Sequence, residues 1–448
     1  MAKKFDFIVI GGGLVGCMAC LSISNSNKSV CLIEKNKFNK IISNDYSPLS
    51  LSINSVNFLK NKDIWDASLF KSSPIKSLYI KLFNSFNTIK ISSSDINLES
   101  LGNIVDKASL LSHLRDLCNK NENIEIIDNI EADIDSAESP LKIILPNTHE
   151  TIGFSKLIIT DGANSKFAEK LNFANSNINY EQTSFIFNGE YESMEKSAVQ
   201  IFTNKGVFAV LPGNKKTKSI VATIHNKFIN NFNFESNNVD EELLVRELLP
   251  YVKDLKNLKL IYKHPLNTVR LNKWFSKNIL LLGNSSQLLH PFGAQGFNFA
   301  LDCIKKLDSE WEKFSAENEF SEQVINSISN QRDALFKSID LTSLLLMKNN
   351  ILAMISSSLI AKTLNSSSTL KNQFIKKILN IDSSKGEANV IYHAKKNMCH
   401  SGNIVQGGFI TGWLDAVMAL ACMSKVGADT LVLSLEIKTT FIKKISIE

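Results

Sequence analysis

The run IVIGGGLVGCMACLSI near the amino terminus leaves a folding chain few options. Phe5 to Ile10 reads as a short strand that stops at Gly11, Leu14 to Ser24 reads as a helix, and Ser29 to Ile33 is a second apolar run ending at Glu34. A strand, a helix and a strand within about thirty residues have the size of a βαβ crossover. The glycines fall as Gly11-x-Gly13-x-x-Gly16. In that pattern Gly11 permits the tight turn, Gly13 lets backbone amides approach a pyrophosphate, and Gly16 lets the helix lie close to the strand. Glu34, eighteen residues beyond Gly16, is placed to accept hydrogen bonds from ribose hydroxyls. The start of the helix adds about 0.3 to 1 kcal/mol of attraction for phosphate. The unit predicts dinucleotide binding. The other reading of the same glycines is a tight turn in an α/β domain that binds nothing, and the unit alone does not separate FAD from a nicotinamide dinucleotide.

A chain of 448 residues has room for about two to three domains. With 44% hydrophobic and 21% charged residues it lies outside the composition of disordered chains. The net charge of +6 is spread over many lysines without a block of like charge, so no nucleic-acid role is expected. Cys17 and Cys20 form a C-x-x-C, a spacing used in redox and zinc sites, but they fall inside the glycine-opened helix and read as small packing residues. Met-Ala-Lys-Lys-Phe-Asp leads straight into a strand with no secretory pattern, which points to a reducing, cytoplasmic setting. Leu344 to Met347 is interrupted by Lys348-Asn349-Asn350, short of the ~18 apolar residues a membrane span needs.

Further along, Leu110 to Cys118 reads as a helix, and residues 123 to 128 and 141 to 145 read as strands. KLIITDGANS (156 to 165) is an apolar strand that ends on Asp161-Gly162. Short alternating runs from 185 to 265 indicate a mostly antiparallel sheet, a substrate domain over about 176–268 inserted between pieces of the nucleotide domain. After Ile279 to Leu282 comes GNSSQLLHPFGAQGFN (283 to 298), rich in glycine and neutral amides, as suits a strand end that a flat polar molecule approaches. Residues 299 to 314 and 322 to 379 read as helices, and a linker follows near 382 to 386.

Taken in order, GGGLVG…IEK, DGANS and GN…HP..AQGFN resemble the aromatic-ring flavoprotein monooxygenases of the p-hydroxybenzoate hydroxylase fold. The late motif is most similar to the ubiquinone-biosynthesis hydroxylases that act on polyprenylated phenols, and the resemblance covers roughly residues 5 to 380. It implies an α/β fold with a Rossmann-like FAD-binding domain, an inserted substrate sheet and C-terminal helices over residues 1–382. FAD would be the cofactor, NAD(P)H the reductant, and O2 and a polyprenylated phenol the substrates. Carried over by position, Asn284 is a partner of the flavin's ribityl chain, Gly283 before it belongs to the same cofactor-binding segment, and Asp161-Gly162 lies near the pyrophosphate and the nicotinamide donor. Pro291, Gln295, Gly296 and Asn298 border the flavin ring, where backbone amides stabilise negative charge on it. His290 has a pKa suited to proton transfer, and its other reading is a hydrogen-bonded structural histidine beside the ring. A polyprenyl substrate also implies association with the inner membrane or a multi-enzyme complex. Residues 341–364 are a candidate for the membrane surface, or else a core helix.

The chain departs from the pattern at three places. Ser47 follows Asp45-Tyr46 where relatives carry Arg, Leu111 stands where Arg or Gln is common, and Ala294 stands where many have Gly, with Gly293 one place earlier. One lost charge-assisted hydrogen bond costs about 1.5 to 3 kcal/mol, roughly ten to a hundredfold in affinity, so weakened FAD binding is expected.

Residues 383–448 carry a second signal. Gly407-Gly408 opening a helix, with Asp415 seven positions on, resembles part of a hotdog-fold acyl-CoA thioesterase. That likeness implies a partial α+β segment in which Asp415 acts as general base or nucleophile. The alternative is an amphipathic helix whose Asp415 only caps it or faces solvent. At the level of function the alternatives are an acyl-thioester hydrolase or acyl-binding module, and a non-catalytic flavoprotein subunit of a complex.

Overall fold

The computed structural model describes residues 3–347, together with 399–400 and 404–405. Within 3–347 the segments 40–45, 82–87, 136–140, 149, 174, 191–195, 214–216, 233–247, 249–254, 292–293, 309 and 314–318 fall outside the description. The chain divides into two compact units, Met1–Asn372 and Gln373–Glu448.

The first unit opens with β1 (Lys4–Ile10), α1 (Leu14–Ser24), β2 (Val30–Glu34), β3 (Pro48–Ser52) and α2 (Ile53–Asn61). Next come β4 (Ser73–Ile75), β5 (Ser77–Lys81), β6 (Thr88–Ser92), β7 (Gly102–Asp106), α3 (Lys107–Lys120) and β8 (Ile124–Asp128). Then follow β9 (Asp133–Asp135), β10 (Lys142–Leu145), β11 (Glu150–Ile159), α4 (Lys166–Lys170) and β12 (Asn175–Glu190). The unit continues with β13 (Ser197–Phe202), β14 (Gly206–Pro212), β15 (Thr217–His225), β16 (Lys256–Leu271), β17 (Phe275–Ser276) and β18 (Ile279–Leu281). Two helices, α5 (Gln295–Asp308) and α6 (Glu322–Met347), end its described part.

The nucleotide sheet has the strand order β17-β18-β11-β1-β2-β8, with β10 and β9 joined to β11. β18, β11, β1, β2 and β8 run parallel. Parallel strands are covered on both faces, so they read as near-continuous apolar runs. Phe7 and Val9 face one cluster, with Cys17, Cys20, Leu110, Leu114, Phe299 and Ile304 from α1, α3 and α5. Ile8 and Ile10 face the other, with Ile143, Ile152 and Phe167. Full burial of each such side chain stabilises the fold by about 1.5 to 3 kcal/mol. Cys17 and Cys20 are buried packing residues, and no metal-holding cluster occurs among the described residues.

The second sheet runs β16-β12-β15-β14-β13-β5-β6, antiparallel except where β13 pairs with β5. This corrects the reading of a simple insertion over 176–268: β5 and β6, from residues 77–92, extend the sheet along the β13 edge. Strand pairing between distant segments leaves no local mark in sequence. Phe185, Phe187, Phe208, Ile220 and Ile224 form this sheet's core. Helix α5 starts at Gln295 rather than 299 and ends at Asp308 rather than 314. Residues 348–379, read as helical, and the linker at 382–386 lie outside the described residues. In the second unit Cys399–His400 pairs antiparallel with Ile404–Val405, while Gly407, Gly408 and Asp415 lie outside the described residues. Among those described, no helix is long and apolar enough to cross a membrane.

Candidate dinucleotide site

Four parallel strands end level with one another. Ile33 pairs with Ile10, Ile10 with Ile159, and Ile159 with Leu281. The three motifs therefore leave the sheet side by side, in the crevice beyond the carboxyl ends of the strands where open α/β sheets bind ligands. Hydrogen bonds tie the motifs to each other. Gly11 N donates to Ile33 O at 2.8 Å, and Thr160 Oγ1 donates to Ile10 O at 2.8 Å and Gly11 O at 2.9 Å. Leu282 N and Ser285 Oγ both donate to Ile159 O, at 3.0 and 2.7 Å.

Sterics fix where glycine is required. Gly11 has φ +99°, and a Cβ there would lie 2.7 Å from Thr160 O. A Cβ on Gly16 would overlap the Gly11 carbonyl oxygen, so α1 packs against the turn at backbone contact. Gly283 has φ +66° and lies against Val15 of α1, which brings the third motif onto the first. By contrast, a Cβ on Gly13, Gly162 or Gly296 would meet no protein atom within 4 Å. These three border open space.

Glu34 is buried, and its carboxylate accepts from Gly12 N at 2.6 Å and from Asn36 N and Nδ2 at 3.0 and 3.1 Å. Two groups that the sequence reading passed over complete this end. Arg115 of α3 donates to Gly12 O and Phe38 O, and Phe38 N donates to Asp128 Oδ2 at 2.6 Å. The clue was position, because Arg115 lies one helical turn after Leu111. Asp161 Oδ1 is buried with no partner among the described residues, and burial pushes its carboxyl pKa up from its ordinary value. Asn284 is exposed between buried Gly283 and Ser285. An orphaned acceptor, an exposed amide and three glycines facing open space fit a polar dinucleotide.

The late loop is held mainly by distant partners. His290 is buried, and its Nε2 bonds Gln182 Oε1 at 2.8 Å, while Gln182 Nε2 lies 3.3 Å from a ring nitrogen of His225. The ring sits edge-on to Tyr180. Burial, and then the nearby His225, push the His290 pKa down to about 4. This is the geometry of a neutral, hydrogen-bonded histidine. Gln287 accepts from Arg332 Nε, and Arg332 Nη2 donates to Leu271 O at 2.6 Å. Pro291, Gln295 and Gly296 are half-buried around the start of α5. The Asn298 side chain is spent within the protein. Its Oδ1 accepts from Ser52 N at 2.8 Å and Ser55 Oγ at 2.7 Å, and its Nδ2 donates to Ser50 O at 2.9 Å and Ala294 O at 2.7 Å. With its side-chain amide saturated, Asn298 pins α5 to β3 and α2. Ala294 sits at φ +53°, a conformation that favours glycine. At the first departure, Ser47 donates its N–H to Asp106 Oδ1 at 3.2 Å.

The comparisons with known proteins agree with this layout. Residues 6–206 match the family model described as "Glucose inhibited division protein A". The chain is 24% identical over 374 residues to the ubiquinone biosynthesis monooxygenase COQ6, mitochondrial, of Dictyostelium discoideum, covering 68% of this chain and 76% of that protein. It is 19% identical over 314 residues to the ubiquinone hydroxylase UbiL of Rhodospirillum rubrum, covering 68% and 72%. Among solved structures it is similar to PqsL of Pseudomonas aeruginosa in complex with 2-aminobenzoylacetate, with a TM-score of 0.66 and 13% identity over 79% of this chain and all of that one. It is also similar to p-nitrophenol 4-monooxygenase PnpA of Pseudomonas putida, with a TM-score of 0.65 and 13% identity over 85% and 99%. The fold is that of the FAD-dependent monooxygenases.

Proposed function

We propose that this chain is an FAD-dependent aromatic monooxygenase that hydroxylates a polyprenylated phenol in ubiquinone biosynthesis, using NAD(P)H and O2. The observation that carries the reading is the level row of strand ends, which joins Gly11, Asp161 and Gly283 in one crevice. The ubiquinone step is supported by the likeness to COQ6 and UbiL. When bound, FAD supplies the redox chemistry that activates O2.

The protein's own part is binding, orientation and exclusion of water. The amides at the start of α1 receive the pyrophosphate, with Gly13 leaving room for it. Glu34 takes the ribose, and Asp161-Gly162 borders the pyrophosphate and the reductant. Asn284 takes the ribityl chain, and Pro291, Gln295 and Gly296 line the ring. His290 keeps its loop against the second sheet through Gln182. That sheet covers the substrate and keeps water from the reacting ring. A greasy tail brings the enzyme to the inner membrane surface as a peripheral protein or a complex member.

The test is the quinone-precursor profile of a cell lacking this protein. Accumulation of an under-hydroxylated polyprenyl phenol, reversed by the intact chain and not by Gly13→Val, is the expected result. An unchanged precursor profile contradicts the ubiquinone step.

A further inference from the structure

Leu111 occupies the place where an arginine or glutamine would be expected from the resemblance, yet α3 delivers a guanidinium to the nucleotide loop from one turn further on. Arg115, four residues later, lies on the same side of the helix. Its Nε and Nη2 donate to the carbonyl oxygen of Gly12 at 3.2 and 3.1 Å, and its Nη1 donates to Phe38 O at 2.9 Å. The guanidinium carbon lies 4.9 Å from the centre of the Phe38 ring. That ring in turn fills the space a Cβ on Gly12 would need, with Phe38 Cε2 2.7 Å from the position.

Gly12 is thus held at both of its polar groups by ions of opposite sign. The Glu34 carboxylate takes its N–H at 2.6 Å, and the Arg115 guanidinium takes its carbonyl. In a loop that receives a phosphate, an untethered carbonyl oxygen can turn toward the anion and repel it. A guanidinium forked onto that oxygen prevents the turn, and charge-assisted bonds are about twice as strong as neutral ones. The open side of the loop, at Gly13, is left to the N–H groups that begin α1.

We propose that Arg115 is a positioning residue for FAD: by locking the Gly12 carbonyl and the Phe38 backbone, it sets the loop in its pyrophosphate-binding form and makes good the charge missing at Leu111. The proposal rests on the FAD reading above. It is tested on the full chain with Arg115→Met and Arg115→Lys, by titrating the flavin-free proteins with FAD and by following amide exchange. The methionine variant is expected to bind FAD about ten to a hundredfold more weakly, the range for losing a hydrogen bond to a charged group. The lysine variant is expected to fall between, because an ammonium lacks the planar fork that spans both carbonyls. Exchange should quicken at residues 11–17 of the methionine variant while β11 and α5 keep their protection. Equal FAD affinity in Arg115→Met and the unaltered chain overturns the proposal, as does exchange that rises evenly across the sheet. Failure of the unaltered chain to take up FAD overturns the reading beneath it instead.

Discussion

Two glycine-rich turns face the same crevice, and they are built on different principles. At residues 11–16 backbone sterics set the shape, with the positive φ on Gly11 and the tight contact on Gly16, and two ions, Glu34 and Arg115, tether Gly12 between them. At residues 283–298 the chain puts glycine at Gly283 but Ala294 at a second positive φ. Side chains from far away hold that loop, with His290 reaching Gln182 and Gln287 reaching Arg332. The first turn owes its shape to its own glycines and its tether to a charge at each polar group of Gly12. The second is fixed by its neighbours, and it is the one whose parts a ligand or a pH change can disturb separately.

The contrast is broken most severely by Gly16→Ala. Its methyl group would overlap the Gly11 carbonyl and lie 2.7 Å from Thr160 Oγ1, so backbone has to move. Denaturant unfolding should show a loss of about 3 kcal/mol, at the upper end for overpacking. Gly283→Ala meets only the Val15 side chain and a positive φ, and should lose about 1 to 2 kcal/mol. Equal losses would mean that the two turns are held alike.

His290 sharpens the comparison through pH. Its folded-state pKa of about 4 lies below the ordinary 6.5, so in acid the unfolded chain takes up a proton that the folded chain refuses. Its neutral form costs nothing above about pH 6.5, and stability drains away as pH falls from there toward 4. The loss reaches roughly 3 kcal/mol, at 1.36 kcal/mol per pKa unit. His290→Gln should unfold with a shallower dependence over that window, and a slope unchanged from the original chain would contradict the buried neutral imidazole. The smallest effect is a gain. Ala294→Gly relieves a left-handed alanine and should raise stability by about 1 kcal/mol in the same unfolding assay. No gain would remove the strain assigned to that position.

The same division explains what could be read from the sequence. The βαβ unit, the Asp161-Gly162 strand end and the late loop were all legible, because each couples an apolar run to glycines whose conformational need is local. The roles of Asn298 and Arg115 were not. Asn298 answers to Ser52, 246 positions away, and Arg115 to Gly12, 103 positions away. A motif gives the residue type, but only the fold says whether an amide is spent on protein or left for a ligand. β5 and β6 were missed as members of the substrate sheet for a similar reason, since the β13–β5 pairing joins segments separated by the whole of β7 to β12.

The central claim is that three level strand ends form one FAD site, and it is tested most directly by titrating the flavin-free chain with FAD and recording the flavin spectrum. The account predicts saturable uptake of one FAD per chain. It also predicts that Gly13→Val, which fills the open side of the first turn, removes uptake without unfolding the protein. A folded chain that leaves FAD free in solution, or a Gly13→Val protein that binds it as tightly as the original, would contradict it.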